Sequence, residues 1–170
     1  DHYLRVWDLA THKCVRKTKL DCMARAVAYS PDGSLIAVGL GGGKGSKLDG
    51  SFVVVKEADL EVEFKPTERF SKEWISDIKF SPDGKTLAVG SHDNAIYLHA
   101  VGEYDDFKKC EAHNSYITHF DFSEDGAAIQ SNCGAYELLY FASETGEQTP
   151  KVRRASCAAD GSQPKMRVRV

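Results

Sequence analysis

The side chains of this 170-residue chain that could do chemistry are six histidines, five cysteines and a glycine-rich run that carries lysines. The histidines do not show the spacing of a metal motif such as HExxH. They are His2, His12, His92, His99, His113 and His119. No serine lies in a G-x-S-x-G turn, and no Ser/His/Asp or Cys/His set can be argued from spacing. We therefore expect no catalytic residues, no metal ligands and no cofactor, and a protein that is not an enzyme.

The glycine-rich run covers residues 39–50 and contains Lys44 and Lys47. A phosphate-binding loop needs G-x-x-x-x-G-K-[ST] between a strand and a helix, and neither that spacing nor a helical pattern is present. The spacing of G-x-G-x-x-G fails as well. The run is interpreted as an extended surface loop.

The cysteines are scattered, odd in number and contain no CxxC pair, so free thiols in a reducing compartment are expected. They are Cys14, Cys22, Cys110, Cys133 and Cys157. Residues 153–156 (RRAS) match a basophilic kinase site and make Ser156 a candidate phosphosite. A four-residue match also arises by chance, and that alternative stays open.

The formal net charge is -3 and is unevenly distributed. Residues 151–170 hold six basic residues and one acid, which leaves 16 basic and 24 acidic residues in 1–150. An acidic body does not suit a nucleic-acid binder. No apolar run approaches the roughly 20 residues that span a membrane. We expect neither nucleic acid nor membrane as a partner. We also expect residues 151–170 to form a solvated, disordered tail.

A six-residue motif that ends in Asp-Gly occurs three times. It indicates the strands and turns that must position these side chains. It appears as AYSPDG ending at Gly33, KFSPDG ending at Gly84 and DFSEDG ending at Gly126. Strand-like sequence separates the copies, and a recurrence at about 40–45 residues is typical of a WD-type β-propeller. Each Ser-Pro-Asp-Gly suits a tight turn between strands.

The sequence predicts an all-β fold, an incomplete WD-repeat β-propeller of about three and a half four-stranded blades. The expected units are a half blade 1–23, blades 24–70 and 71–112, and a partial blade 113–150, followed by the tail 151–170. The fourth strand of the last unit would fall around residues 148–153, where the repeat pattern fails. Because closing a ring takes at least about four blades, we expect a piece of a larger propeller.

WD-repeat blades often share a buried network of a His, a Ser or Thr, an Asp and a Trp, which locks the blade. Here the set is broken up, and the residues at its positions are interpreted as structural. They are Asp1 and Trp7 in the first unit; Ser91, Asp93 and His99 in the second complete blade; and His113, Cys133, Ala135 and Phe141 in the third.

Two consecutive blades resemble the echinoderm microtubule-associated-protein-like family. The resemblance is carried by residues 76–98 (SDIKFSPDGKTLAVGSHDNAIYL), 113–122 (HNSYITHFDF) and 131–141 (SNCGAYELLYF), and residues 36–40 and 52–55 fit as well. It covers about residues 1–150. It implies two tandem propellers, with this chain from the second, and association with tubulin or microtubules.

The resemblance thus implies a non-catalytic interaction scaffold in the cytoplasm, on the cytoskeleton. The alternative is a generic WD-repeat adaptor for another protein assembly. Partners of a propeller usually meet its loops, because loops vary on a rigid frame. The candidate partner-facing residues are Lys44, Lys47, His92, Asp93, Asn94, Asn114 and Tyr116.

Overall fold

The computed structural model describes residues 2–42 and 47–150, and the secondary structure of this part of the chain consists of strands and turns. The described residues contain no helix long and apolar enough to cross a membrane. The strands are β1 Tyr3–Asp8, β2 Lys13–Lys19, β3 Ala24–Tyr29, β4 Leu35–Leu40, β5 Phe52–Lys56, β6 Val62–Phe64, β7 Ile75–Phe80, β8 Thr86–Ser91, β9 Ala95–Ala100, β10 Glu103–Glu111, β11 Ile117–Phe122, β12 Ala128–Cys133, β13 Leu138–Ala142 and β14 Gln148–Thr149.

These strands form four antiparallel sheets, each made of strands that are consecutive in the chain. The first sheet is β1–β2, and the following three are β3–β6, β7–β10 and β11–β14. The first strands of neighbouring complete sheets lie side by side, with β3 against β7 and β7 against β11. This is the arrangement of propeller blades, and it confirms the predicted fold class.

The packing of the sheets follows from strands that are apolar on both faces. In β5, Phe52 and Val54 lie on one face, while Val53 and Val55 lie on the other, because successive side chains of a strand alternate. All four are buried. A strand of this kind must be covered on both sides, which stacks the sheets face to face.

Three apolar cores lie between successive sheets. Leu4 of β1 packs with Ile36 and Val38 of β4 in the first core. In the second core the opposite face of the same sheet meets Leu87 of β8. The third core joins the other face of β7–β10 to Phe120 and its neighbours in β11–β14.

Each of the two terminal sheets has one face that no other described sheet covers. On the first sheet Trp7 is 55% exposed and Val15 51%, and on the last sheet Leu138 is 53% exposed. The described residues therefore form an open, incomplete propeller. Trp7 was predicted to belong to a blade-locking network, but the structure places it on this open face.

A polar cluster links the innermost strands β7 and β11. Asp77 Oδ2 accepts a hydrogen bond from the Phe120 amide at 3.3 Å and lies 2.8 Å from His119 Nδ1. Lys79 pairs with Asp121 across the same boundary. Burial raises the pKa of Asp77, against the lowering effect of Lys79 and His119.

The repeated Ser-x-Asp-Gly phrase forms the same turn in all three complete sheets. In the first copy Ser30 Oγ donates to Asp32 Oδ1 at 2.5 Å, and the Leu35 amide donates back to Ser30 Oγ at 2.9 Å. Gly33 has a φ of +75°, and its amide donates to the Ser30 carbonyl at 2.9 Å. The Ser30 and Ser34 hydroxyls lower the pKa of Asp32 to about 2.

One expectation about the last sheet was wrong. The repeat pattern was expected to fail near residues 148–153, but β14 pairs with β13 through Thr149 and Gln148 and completes a four-stranded sheet. Its two residues are too few to show the alternation by which strands are predicted from sequence. The residues that follow, 151–170, lie outside the described part, and so does the predicted tail.

Replacing Gly33 by alanine tests the turn. No atom lies within 4 Å of an added Cβ, so the substitution causes no steric clash with neighbouring residues. Its cost is the strain of holding a residue with a side chain at a positive φ. We expect the free energy of unfolding to fall by about 1 kcal/mol. Asparagine tolerates this conformation, so Gly33→Asn should cost clearly less. Urea denaturation of the two variants checks this, and equal losses would contradict the explanation.

Candidate functional site

Those candidate partner-facing residues that the structure describes share one edge of the sheets. Because consecutive strands are antiparallel, the connections that follow the even-numbered strands β4, β6, β8, β10 and β12 all emerge at the same edge. We call this edge the loop edge, and among the described residues it comprises 41–42, 47–51, 65–74, 92–94, 112–116 and 134–137. Lys47 is exposed on it. Lys44 lies outside the described residues.

A stack of four side chains crosses the loop edge and joins three sheets. The Trp74 and His92 rings lie 3.5 Å apart between centroids at 28°, and the His92 and Tyr116 rings lie 4.4 Å apart at 19°. The Arg25 guanidinium also lies over the Trp74 ring, with its Cζ 4.7 Å from the ring centroid. We call Arg25, Trp74, His92 and Tyr116 the stacked ladder.

The ladder changes the interpretation of the turn after β8. His92 and Asp93 were expected in a solvated turn, but both are half-buried. Burial lowers the pKa of His92, although Glu73 opposes the shift. The shift favours the neutral form of the His92 ring, which stacks with both Trp74 and Tyr116.

Two glycines make room for the ladder. A Cβ on Gly134 would lie 2.6 Å from Cε1 and Cζ of Tyr116, and one on Gly41 would lie 2.0 Å from the Trp74 Cβ. The Gly134 amide also donates to the Tyr116 carbonyl at 2.9 Å. These close approaches give the glycines a packing role at the loop edge.

Asp93 fixes the connection between β6 and β7 to the turn after β8. Its Oδ2 accepts hydrogen bonds from the Lys72 amide at 3.0 Å and from the Tyr97 hydroxyl at 2.6 Å. Ser91 Oγ accepts from the Asp93 amide at 3.2 Å and contacts Ser71 Oγ at 3.1 Å. Burial and this carboxylate raise the pKa of Tyr97.

Asn94 and Asn114 have different surroundings on the loop edge. Asn94 occupies the turn after β8 with a φ of +73°, a conformation that asparagine adopts more readily than most residues. Asn114 is exposed, and its amide donates to Glu137 Oε2 at 2.9 Å. Tyr116 is 43% exposed although it belongs to the ladder.

A second network surrounds His113 in the last sheet. His113 Nε2 lies 2.7 Å from Ser131 Oγ, and Nδ1 lies 3.3 Å from Glu137 Oε2. The Cys133 thiol donates to the same Glu137 oxygen at 3.1 Å. The Asn114 amide is the main group that lowers the pKa of Glu137, to about 2.

This network uses residues beside the expected positions. Cys133 and Ala135 stand at the positions of the hydroxyl and the carboxylate in the blade-locking set, and the partners of His113 are instead Ser131 and Glu137. Sequence reasoning missed both. Strand alternation carried a signal for Ser131, because it lies two residues before Cys133 and so on the same face of β12. Phe141 packs near His113, with centroids 6.0 Å apart.

His99 occupies a different environment, between the second and third sheets. Its Nδ1 donates to the Tyr104 carbonyl at 2.8 Å, while its buried Nε2 has no hydrogen-bond partner among the described residues. Aromatic rings surround it and line a cavity of about 210 Å³. They are Phe52, Phe64, Phe70, Tyr104 and Phe107. Burial lowers the pKa of His99 to about 4.

The cysteines and the remaining sequence candidates complete the comparison with the sequence predictions. The four described cysteines, Cys14, Cys22, Cys110 and Cys133, are free thiols. Burial raises the pKa of the Cys110 thiol to about 12, which makes it unreactive. Ser156, Asp1 and Cys157 fall outside the described residues.

Substituting Gly134 by alanine tests the close approach to the ladder. The added methyl group must displace the Tyr116 ring, and we expect the free energy of unfolding to fall by roughly 1–3 kcal/mol. In a Tyr116→Ala background the clash with the ring is gone, so most of this cost should disappear. Urea denaturation of the four proteins of this cycle measures the coupling, and additive costs would contradict the proposed contact.

The neutral state of His99 predicts acid sensitivity. Between pH 6.5 and about 4 the unfolded chain binds a proton at this position that the folded chain does not, so the free energy of unfolding falls as the pH falls. The full loss is on the order of 3 kcal/mol. His99→Phe should flatten the pH dependence measured by urea denaturation, while exposed His2→Gln should not. An unchanged slope in His99→Phe would contradict the prediction.

Comparison with known proteins agrees with this architecture. The domain family described as the echinoderm microtubule-associated protein second beta-propeller matches residues 1–159. The chain is also similar in fold to hydrazine synthase from Kuenenia stuttgartiensis, with a TM-score of 0.74 at 20% identity, over 87% of this chain and 42% of that one. At that identity the similarity shows the fold alone.

Curated relatives carry related names. The chain is 35% identical over 152 residues to the 77 kDa echinoderm microtubule-associated protein of Strongylocentrotus purpuratus, over 87% of this chain and 21% of that protein. It is 35% identical to echinoderm microtubule-associated protein-like 2 of Rattus norvegicus, over 87% and 22%. It is 36% identical to the ciliary WD repeat-containing protein ctxp80 of Euplotoides octocarinatus, over 88% and 23%.

The chain thus spans between a fifth and a quarter of the length of these relatives. The domain match covers all of the sheets described above, with the repeated turns and the loop edge inside it. The chain therefore belongs to the echinoderm microtubule-associated protein family, in the part described as its second β-propeller.

Proposed function

We propose that this chain is a non-catalytic scaffold that contacts tubulin or microtubules through its loop edge. The relatives at 33–36% identity include several that are named microtubule-associated proteins. That naming supports the choice of partner. Cytoplasmic, cytoskeletal association is part of the same proposal.

The observation that carries the proposal is that non-covalent contacts join the loop-edge connections of different sheets to one another. Trp74, His92 and Tyr116 come from three successive connections, yet their rings stack in one ladder. The Lys72 amide and Asp93 add a hydrogen bond between two of these connections. Loops held in this way lose little conformational freedom when a partner binds, which favours affinity.

The opposite edge is built differently. Its Ser-x-Asp-Gly turns satisfy their own polar groups, as the matching bonds within the turns at Ser30, Ser81 and Ser123 illustrate. The same geometry repeats in each sheet. This edge therefore offers a regular surface, whereas the loop edge carries the features that differ from sheet to sheet, and this favours the loop edge as the recognition surface.

Size-exclusion chromatography with purified αβ-tubulin dimer tests the proposal. We expect the chain to co-elute with tubulin in a saturable manner. The charge reversal Lys47→Glu on the loop edge should weaken co-elution. Lys85→Glu provides the matched control, because this exposed lysine lies on the opposite edge and the change in net charge is identical.

The outcomes separate the candidate functions. Loss of co-elution with both substitutions would point to net charge rather than to the loop edge. A well-behaved peak that tubulin does not shift at any concentration would overturn the tubulin proposal and favour the generic adaptor. Circular dichroism of each variant verifies that the sheets remain folded.

A further inference from the structure

Three side chains of different chemistry converge at the loop edge of the last sheet. They are His113, Cys133 and Glu137, and one potential ligand atom from each lies within 4.8 Å of the others. We propose that Nδ1 of His113, Sγ of Cys133 and the carboxylate of Glu137 form a binding site for a divalent transition metal ion, with zinc as the preferred ion.

The distances fit tetrahedral coordination. Zinc bonds of about 2.0–2.2 Å to nitrogen and oxygen and about 2.3 Å to sulfur place neighbouring ligand atoms roughly 3.2–3.7 Å apart. Glu137 Oε2 lies 3.3 Å from His113 Nδ1 and 3.1 Å from Cys133 Sγ. All three ligand atoms lie within 4.8 Å of one another, so binding requires the side chains to close around the ion.

The surrounding hydrogen bonds orient the ligands. Ser131 Oγ lies 2.7 Å from His113 Nε2, so it can accept a hydrogen bond from Nε2–H, which leaves the lone pair of Nδ1 free to coordinate. The Asn114 amide and side chain both donate to Glu137. Metal-binding histidines and carboxylates are commonly held by such outer partners.

The donor set favours zinc over harder ions. One sulfur, one imidazole nitrogen and one carboxylate suit zinc, whereas magnesium and calcium require oxygen ligands. His113 and Cys133 are buried, and the Glu137 side chain is 27% exposed. That exposure leaves room for a fourth ligand, such as water, on the solvent side.

The preceding sheet supplies an internal comparison. The register pairs Ile75 with Ser91 there and Ile117 with Cys133 in the last sheet. The positions that match His113, Cys133 and Glu137 are accordingly Ser71, Ser91 and Ala95, and the first two share a hydrogen bond at 3.1 Å. The same backbone positions thus hold a neutral hydroxyl pair in one sheet and three metal-ligating groups in the next.

Cobalt(II) provides a spectroscopic probe of the site in the full 170-residue chain. We expect one equivalent of cobalt to bind, with a thiolate-to-metal charge-transfer band in the near ultraviolet, and zinc to displace it. Cys133→Ser should abolish the band, because the thiolate is lost while a hydroxyl still donates to Glu137. Cys14→Ser and Cys157→Ser serve as thiol controls and should keep it.

Zinc affinity measured by competition gives a second readout. Ser131→Ala removes an outer partner and should weaken zinc binding roughly 10–100-fold, whereas Cys133→Ser should weaken it further. Circular dichroism without metal verifies that the variants fold. Absence of a cobalt band in the parent chain, or a band that Cys133→Ser retains, would overturn the site.

Discussion

The fold depends on one constraint, which is that the two middle sheets, β3–β6 and β7–β10, have two apolar faces and both faces must be covered. In β5 the side chains alternate between two cores: Phe52 and Val54 pack in one, and Val53 and Val55 pack in the other. At about 25 cal/mol per Å² of buried apolar surface, covering such faces is the main stabilising contribution. Stacking of consecutive sheets meets the constraint, and the propeller geometry results from it.

This stacking also positions two of the candidate sites, which lie where two sheets meet or where their connections cross. The stacked ladder spans three sheets at the loop edge. His99 lies between the second and third sheets, where neighbouring aromatic rings deprive Nε2 of a partner. The group around His113 belongs to one sheet, where a connection and a tight turn approach the end of β12.

The sequence predicted the elements whose signal is local. The repeated Ser-x-Asp-Gly phrase predicted the turns and the strands beside them, since both depend on residues close in the chain. The short β14 was missed because Gln148 and Thr149 show no alternation. The stack on His92 was missed because Trp74 and Tyr116 come from distant connections. Glu137 was missed because its role depends on a turn that brings it back towards His113.

The open faces of the terminal sheets make stability uneven along the chain. Each sheet contacts only its neighbours through a shared core, so its resistance to local opening depends on how many of its faces are covered. Among the described sheets, β7–β10 alone has a four-stranded sheet on each side. Backbone amides of β8 and β9 should therefore exchange with solvent most slowly, and exchange should quicken towards β1 and β13. Local stability therefore varies along the chain, and the terminal sheets unfold locally at a lower free-energy cost than the central sheet.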